Sequence, residues 1–455
     1  MNLRSLLMFG LLGVWAGPAV AALSPLEDLG EQLFFDTQLS SPPGQSCSSC
    51  HDPDAAFTDP RRARPTSPGV LPGRFGNRNS PTAMYAAFSP PFYFNTAEGT
   101  YRGGLFLDGR VPNLETQAQK PLLNPLEMAN PDPASVVEKV RNASYAPLFE
   151  QVFGTDVWAD TEQAYASIAA AIAAFERTST FAPFSSKYDA YLAGKAKLSP
   201  AEERGLTLFE DPGKGNCAAC HPSQRSADGK PPLFTDFSYD NIGVPRNLNN
   251  PFYALPADLN PQGGYFVDVG LGQAIGDRTQ NGKFKVPTLR NIQLTAPYMH
   301  NGYFSSLSTV VDFYNKRDAK PGCASLFMPD DLAERQNCWP APEVTENVNR
   351  QELGNLKLNA NEVSDLLAFL GTLTDGYGGT ECLLDWFEAQ YPNLLFPPGA
   401  QSQSWPPYRY RHYSITQSYV GVSASDSQVY YLGNEGGLIS VGDSTAWLAM
   451  ADCKQ

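Results

Sequence analysis

Two stretches of the chain carry the same start signal followed by similar apolar spacing. Ser24-Pro25-Leu26-Glu27 sets a Ser ahead of a Glu in capping-box register, with Pro at the first helical position. The run continues through Leu33-Phe34-Phe35-Asp36. Ser199-Pro200-Ala201-Glu202 repeats the signal and leads through Leu206 and Leu208-Phe209-Glu210. Each stretch predicts a short amphipathic helix followed by a Gly/Pro-containing loop. Between them, Asp160 opens a strongly helical run in which Ala164, Ile168, Ile172 and Phe175 share one face, a stripe that core packing explains by itself. After about Asp375 the pattern changes. Glu381–Glu388 reads as helix. Tyr408–Tyr413, Tyr419–Val422, Val429–Leu432 and Leu438–Val441 then read as short strands separated by Gly, Ser, Asp and Asn. A last helix is expected around Ser444–Ala449.

At the N-terminus, Arg4 precedes the apolar run Leu6–Trp15 and then Ala19-Val20-Ala21, the pattern of a secretory signal cleaved near Ala22. No other stretch approaches the roughly 18 apolar residues that a membrane span needs. The expectation is an exported protein of the periplasm with no membrane span. The 455 residues hold 42% hydrophobic and 18% charged positions, with 38 Gly and 39 Pro, which excludes disordered and collagen-like classes. A net charge of -14 argues against nucleic acid or an anionic membrane as partner.

The 8 cysteines and 4 histidines narrow the chemistry most. Cys47-Ser48-Ser49-Cys50-His51 and Cys217-Ala218-Ala219-Cys220-His221 have the spacing for covalent haem attachment. Two thioethers anchor the vinyl carbons, and the adjacent imidazole becomes the proximal iron ligand. A bare Cys-x-x-Cys serves equally as a redox dithiol or half a zinc site; the His after both copies favours two haem c groups. In an oxidising compartment Cys323 with Cys338, and Cys382 with Cys453, form two plausible disulfides. The first would close a short loop worth about 3 kcal/mol. Spacing does not prove either pairing.

A haem with two strong axial ligands moves electrons, whereas one with an open position takes peroxide or dioxygen. With His51 and His221 proximal, only His300 and His412 remain as second ligands. No His lies between His51 and His221, so the first haem has no distal His of its own domain. His412 falls on the Tyr408/Tyr410 face of a predicted strand and reads as a packing or surface residue. Beyond the signal, the methionines are Met84, Met128, Met299, Met328 and Met450.

From about Leu29 to Leu373 the chain resembles the bacterial di-haem cytochrome c peroxidase/MauG superfamily. The resemblance rests on motifs in order. Leu33-Phe34-Phe35-Asp36, Cys50-His51-Asp52-Pro53 and Phe57-Thr58-Asp59 surround the first haem motif. Arg78-Asn79-Ser80-Pro81-Thr82, Asp108-Gly109-Arg110 and Asn124-Pro125-Leu126-Glu127-Met128 follow. The second half carries Val286-Pro287-Thr288-Leu289-Arg290-Asn291 and Thr295-Ala296-Pro297-Tyr298-Met299-His300-Asn301-Gly302. The resemblance implies a mainly α fold: two cytochrome-c-like haem domains in tandem, here 22–185 and 186–375, after a signal peptide at 1–21. A small C-terminal α+β module at 376–455 lies outside the resemblance.

It further implies peroxide chemistry at the first haem and electron transfer at the second. Glu127 falls on the family's distal carboxylate, the acid–base group for O–O cleavage, with Gln117 and Pro121 on other distal-pocket positions. Asn79, Thr295 and Pro297 fall on positions that hold a calcium ion between the haem domains. Two features place the axial ligands closer to the MauG branch: the missing distal His, and Tyr314 where peroxidases place an axial Met. His300 reads as a residue that supports the site without ligating iron, and is the chief rival ligand. One departure runs the other way. The family's bridging Trp before Asp-Gly-Arg is Leu107 here, and Leu cannot carry an oxidising equivalent. The expected activity is reduction of hydrogen peroxide with electrons from a small redox protein. The alternatives are MauG-like oxidation of an aromatic residue in a partner protein, or a non-catalytic di-haem electron carrier.

Overall fold

The computed structural model describes residues 22–226 and 228–377, together with the backbone of five strands between 403 and 443. Two helix pairs organise residues 22–377, and they are built alike. Pro25–Phe35 packs on Thr161–Glu176, and Pro200–Glu210 packs on Ala360–Gly371. Both predicted capping boxes form: Ser24 Oγ accepts from Glu27 N while Glu27 Oε2 takes the Ser24 N–H, and Ser199 with Glu202 does the same. Asp160 caps the long helix by accepting from the N–H groups of Glu162 and Gln163, and Ala164, Ile168, Ile172 and Phe175 are all buried.

The repeat extends beyond the caps to the crossing points. Gly30 and Gly205 hold equivalent places in their helices, and at each an added Cβ would lie 2.0 Å from a backbone oxygen of the partner helix, Ala171 or Asp365. Only glycine permits so close an approach. Phe34 and Phe209, one turn further on, are fully buried in separate hydrophobic cores. A polar seam joins the two parts. Arg78 donates to Asp268 at 2.6 and 2.8 Å and to Asp108 at 2.7 Å. Deep in the second part, Arg290 forks onto Asp189 with two bonds of 2.8 Å.

Strand content is small: Tyr93–Asn95 pairs with Thr100–Arg102, and Tyr239–Asp240 with Phe284–Lys285. The C-terminal strands Gln403–Trp405, Tyr408–Tyr413, Ser418–Ser423, Gln428–Leu432 and Leu438–Asp443 form an antiparallel meander in chain order. Four of them cover the predicted runs. The first was not legible, being three residues long and followed by Pro406-Pro407. Cys323 and Cys338 are joined as a disulfide. The signal segment 1–21, the expected helices Glu381–Glu388 and Ser444–Ala449, and the pair Cys382–Cys453 lie outside the described residues. Among the described residues no helix is long and apolar enough to cross a membrane.

Candidate active site

Both Cys-x-x-Cys-His motifs open onto one cavity of about 510 Å³. Each begins as a single 3-10 turn, Cys47–Ser49 or Cys217–Ala219, and in both the His N–H donates to the first Cys carbonyl at 2.9 Å. His51 Nδ1 donates to Phe57 O at 3.0 Å, and His221 Nδ1 to Phe234 O at 2.7 Å. A carbonyl only accepts, so the proton sits on Nδ1 and Nε2 keeps its lone pair for a metal. Burial pushes the pKa of both rings down and keeps them neutral, as ligation requires.

None of the four motif cysteines forms a disulfide. Burial pushes Cys47, Cys217 and Cys220 up to about 12 and Cys50 to about 11. A redox dithiol needs a low-pKa thiolate, so these are poor candidates for that role. A zinc site needs more ligands, and among the described residues no group of three or more His, Cys, Asp or Glu side chains converges on one point. Paired neutral thiols, an imidazole Nε2 and a shared apolar cavity fit a c-type haem at each motif.

Around the first motif, the helix Leu114–Leu123 is capped by Asn113, whose Oδ1 accepts from Thr116 N at 2.9 Å. It carries Gln117 and Pro121 to the cavity wall. A turn then follows in which Asn124 Oδ1 accepts from Leu126 N, while Asn124 Nδ2 donates to Glu127 Oε1 at 2.9 Å. That bond leaves Oε2 for other chemistry. Burial raises the Glu127 carboxyl above its ordinary range, against the opposing pull of Arg110 and Asn124. A second carboxyl lines the same cavity: Glu176, the last residue of the long helix, is pushed by burial to about 8. The sequence reading took that helix as core alone, and nothing in its stripe marks the final residue.

Beside the second motif, Tyr314 on the helix Leu307–Lys316 is half-buried at the cavity wall, and burial together with the Cys220 and Cys217 thiols pushes its phenol up. His300 lies flat on Phe284, ring centroids 3.7 Å apart at 9°, with Nε2 buried and without a hydrogen-bond partner. Burial pushes that imidazole down to about 4. Leu107 lines the cavity too, its carbonyl accepting from Lys285 N at 2.8 Å. Asn79, Thr295 and Pro297 complete the wall; Asn79 N donates to His300 O at 2.8 Å, and Asn79 Nδ2 to Pro65 O at 3.2 Å. Every site residue expected from sequence therefore reaches one cavity. Sequence reasoning did not reveal Glu176, nor the pairing of Arg78 with Asp268 or of the Tyr85 hydroxyl with Asp375, whose members lie 190 and 290 positions apart.

Two haem-attachment motifs facing one cavity, with a buried carboxyl at one of them, define a di-haem c-type oxidoreductase. Residues 24–197 match the profile of the family described as di-haem cytochrome c peroxidase. The chain is 42% identical over 367 residues to the methylamine utilization protein MauG of Paracoccus denitrificans, covering 79% of this chain and 90% of that protein. It is 31% identical over 360 residues to a cytochrome-c peroxidase of Pseudomonas sp. (strain SCT), covering 76% and 80%. The crystal structure of the diheme peroxidase BthA from Burkholderia thailandensis superposes with a TM-score of 0.65 at 34% identity, covering 79% of this chain and 88% of that one. The chain belongs to the di-haem cytochrome c peroxidase family, MauG among its members, and is an oxidoreductase with two c-type haems.

Proposed function

We propose that this protein reduces hydrogen peroxide at the haem held by Cys47, Cys50 and His51, drawing electrons through the haem held by Cys217, Cys220 and His221. One observation carries the reading: the Glu127 carboxyl, its pKa raised by burial, lines the cavity beside the first motif, whereas Tyr314 stands beside the second. Bound haem supplies an iron with one open position for peroxide. Glu127 Oε2 takes the proton from one peroxide oxygen and returns it to the other, which leaves as water. Gln117 orients the peroxide, and Pro121 closes the wall with a ring that offers no N–H. Tyr314 would supply the second ligand to the iron held by His221, while His300 is packed against Phe284. Asn79, Thr295 and Pro297, on the same cavity wall, would hold a calcium ion through neutral oxygens.

The repeated cap, glycine crossing, buried Phe and haem motif support two tandem cytochrome-c-like domains at 22–185 and 186–375. Residues 376–455 form a third, C-terminal module. The leader-like segment 1–21 and the haem motifs support a periplasmic location, with a small redox protein as electron donor. A second reading, oxidation of an aromatic residue in a partner protein, is favoured by the 42% identity to MauG and by Tyr314 at the ligand position. A non-catalytic carrier is disfavoured by Glu127 and by the lack of any His between His51 and His221.

Electron paramagnetic resonance of the resting diferric protein tests the assignment. One high-spin and one low-spin signal are expected, and Tyr314→Phe should change the low-spin signal alone. An unaltered low-spin signal in that variant would remove Tyr314 as ligand. Two low-spin haems in the unsubstituted protein would point to the carrier.

A further inference from the structure

Tyr85 is buried and lines the cavity that both haem motifs share. Its hydroxyl donates to Asp375 Oδ2 at 2.7 Å and accepts from Phe184 N at 3.1 Å. Asp375 is itself fixed in place. Its Oδ2 also accepts from Asn291 Nδ2 at 2.8 Å, its Oδ1 accepts from Ser185 N at 2.9 Å, and its N–H donates to Asn291 Oδ1 at 2.8 Å. The Tyr85 ring faces the Arg290 guanidinium at 4.8 Å.

Short links run from this phenol toward both motifs. Phe57 O, which accepts from His51 Nδ1, also accepts from Ala83 N at 3.1 Å, two residues before Tyr85. On the other side, Phe234 O accepts from His221 Nδ1, and the Phe234 ring lies 5.9 Å from the Arg290 guanidinium that covers Tyr85. These contacts link Tyr85 to both histidine anchors, in a protein whose expected bridging position, Leu107, cannot be oxidised. Burial, with Asp375 beside it, raises the phenol well above its usual range. The proton then does not leave by itself, and oxidation requires a base in hydrogen-bond contact. Asp375 is that base.

We propose, on the basis of the peroxidatic reading above, that Tyr85 is a redox-active relay between the two haem sites, with Asp375 as its proton acceptor. Tyr85 gives one electron toward the site oxidised by peroxide, and its O–H bond breaks with the proton passing to Asp375 Oδ2. A neutral tyrosyl radical remains. An electron arriving by way of the second haem from the protein's reductant restores the phenolate oxygen, and Asp375 returns the proton. Each cycle moves one electron with no net proton change at Tyr85. Two such transfers, with two protons from solvent, complete the reduction of one peroxide to two waters.

The test uses the haem-loaded protein, grown with either ordinary or ring-deuterated tyrosine, mixed with hydrogen peroxide and frozen for electron paramagnetic resonance. A free-radical signal with tyrosine ring hyperfine structure is expected, narrowing on deuteration and absent in Tyr85→Phe. Asp375→Asn keeps the size but removes the base, its NH2 replacing one of the two oxygens that accept hydrogen bonds, so radical formation should slow by about 100-fold. A tyrosine radical that persists in Tyr85→Phe, or forms at the unsubstituted rate in Asp375→Asn, overturns the relay. So does an unsubstituted protein that reacts optically with peroxide and yields no tyrosine radical, an outcome that leaves the peroxidatic reading standing. No optical reaction at all defeats both.

Discussion

Glu127→Gln is expected to slow peroxide O–O cleavage by about 100-fold or more while leaving peroxide able to bind, the usual weight of a positioned acid–base group. The amide keeps the shape, and its oxygen still accepts from Asn124 Nδ2, which holds Glu127 Oε1 at 2.9 Å. What disappears is the oxygen that takes and returns a proton. The pH dependence carries the same signature. Burial raises the Glu127 carboxyl, so the basic form needed to take the first proton is lost as pH falls through a value above the ordinary carboxylate range. The unsubstituted protein should therefore show an acid limb in its peroxide rate, and Glu127→Gln should be slow and flat across it. Stopped-flow rates across pH check both features. An acid limb retained in Glu127→Gln would assign it to another group, such as Glu176 on the same cavity.

Arg290→Ala is expected to destabilise the protein by about 3–5 kcal/mol, the cost of leaving a buried charge without its partner. The Arg290 side chain is 0% exposed and Asp189 only 9%. Burial alone would raise the Asp189 carboxyl, but the bonds from Arg290, with Ser186, hold it below its usual range. A depressed folded pKa contributes stability that is present above the unfolded value and lost as pH falls through the folded one. The Arg290→Ala deficit should thus be largest near neutrality and shrink in acid. The joint replacement Arg290→Met with Asp189→Leu should recover most of the loss, because the penalty lies in the unpaired charge. Denaturant midpoints of the haem-loaded variants at two pH values measure this.

What was legible in the sequence was what repeats or sits close in the chain. The two Ser-Pro-x-Glu caps, the apolar run with its Phe that follows each, and the two haem motifs are local patterns, and each element formed where its pattern placed it. Four of the five C-terminal strands were likewise carried by their Tyr/Val runs and turn residues. Glu127, Gln117, Pro121 and Tyr314 were singled out by the family resemblance, since a carboxyl after a Pro-Leu turn or a Tyr in a helix looks structural by itself. The cavity brings them together with the haem motifs. What stayed hidden was long-range pairing. Arg78 with Asp268 spans 190 positions and Tyr85 with Asp375 spans 290, and no periodicity connects them. Glu176 escaped for a different reason: its apolar helix face gives way to a carboxyl at the last residue, where a charged side chain ordinarily meets water.

The most direct test of the account is rapid mixing of the fully oxidised, haem-loaded protein with hydrogen peroxide, without any prior reduction. With no His between His51 and His221 to displace from the first iron, the haem absorption should change within the mixing time or shortly after. A protein that is inert when diferric, and responds to peroxide only after one haem has been reduced, would contradict an open first site.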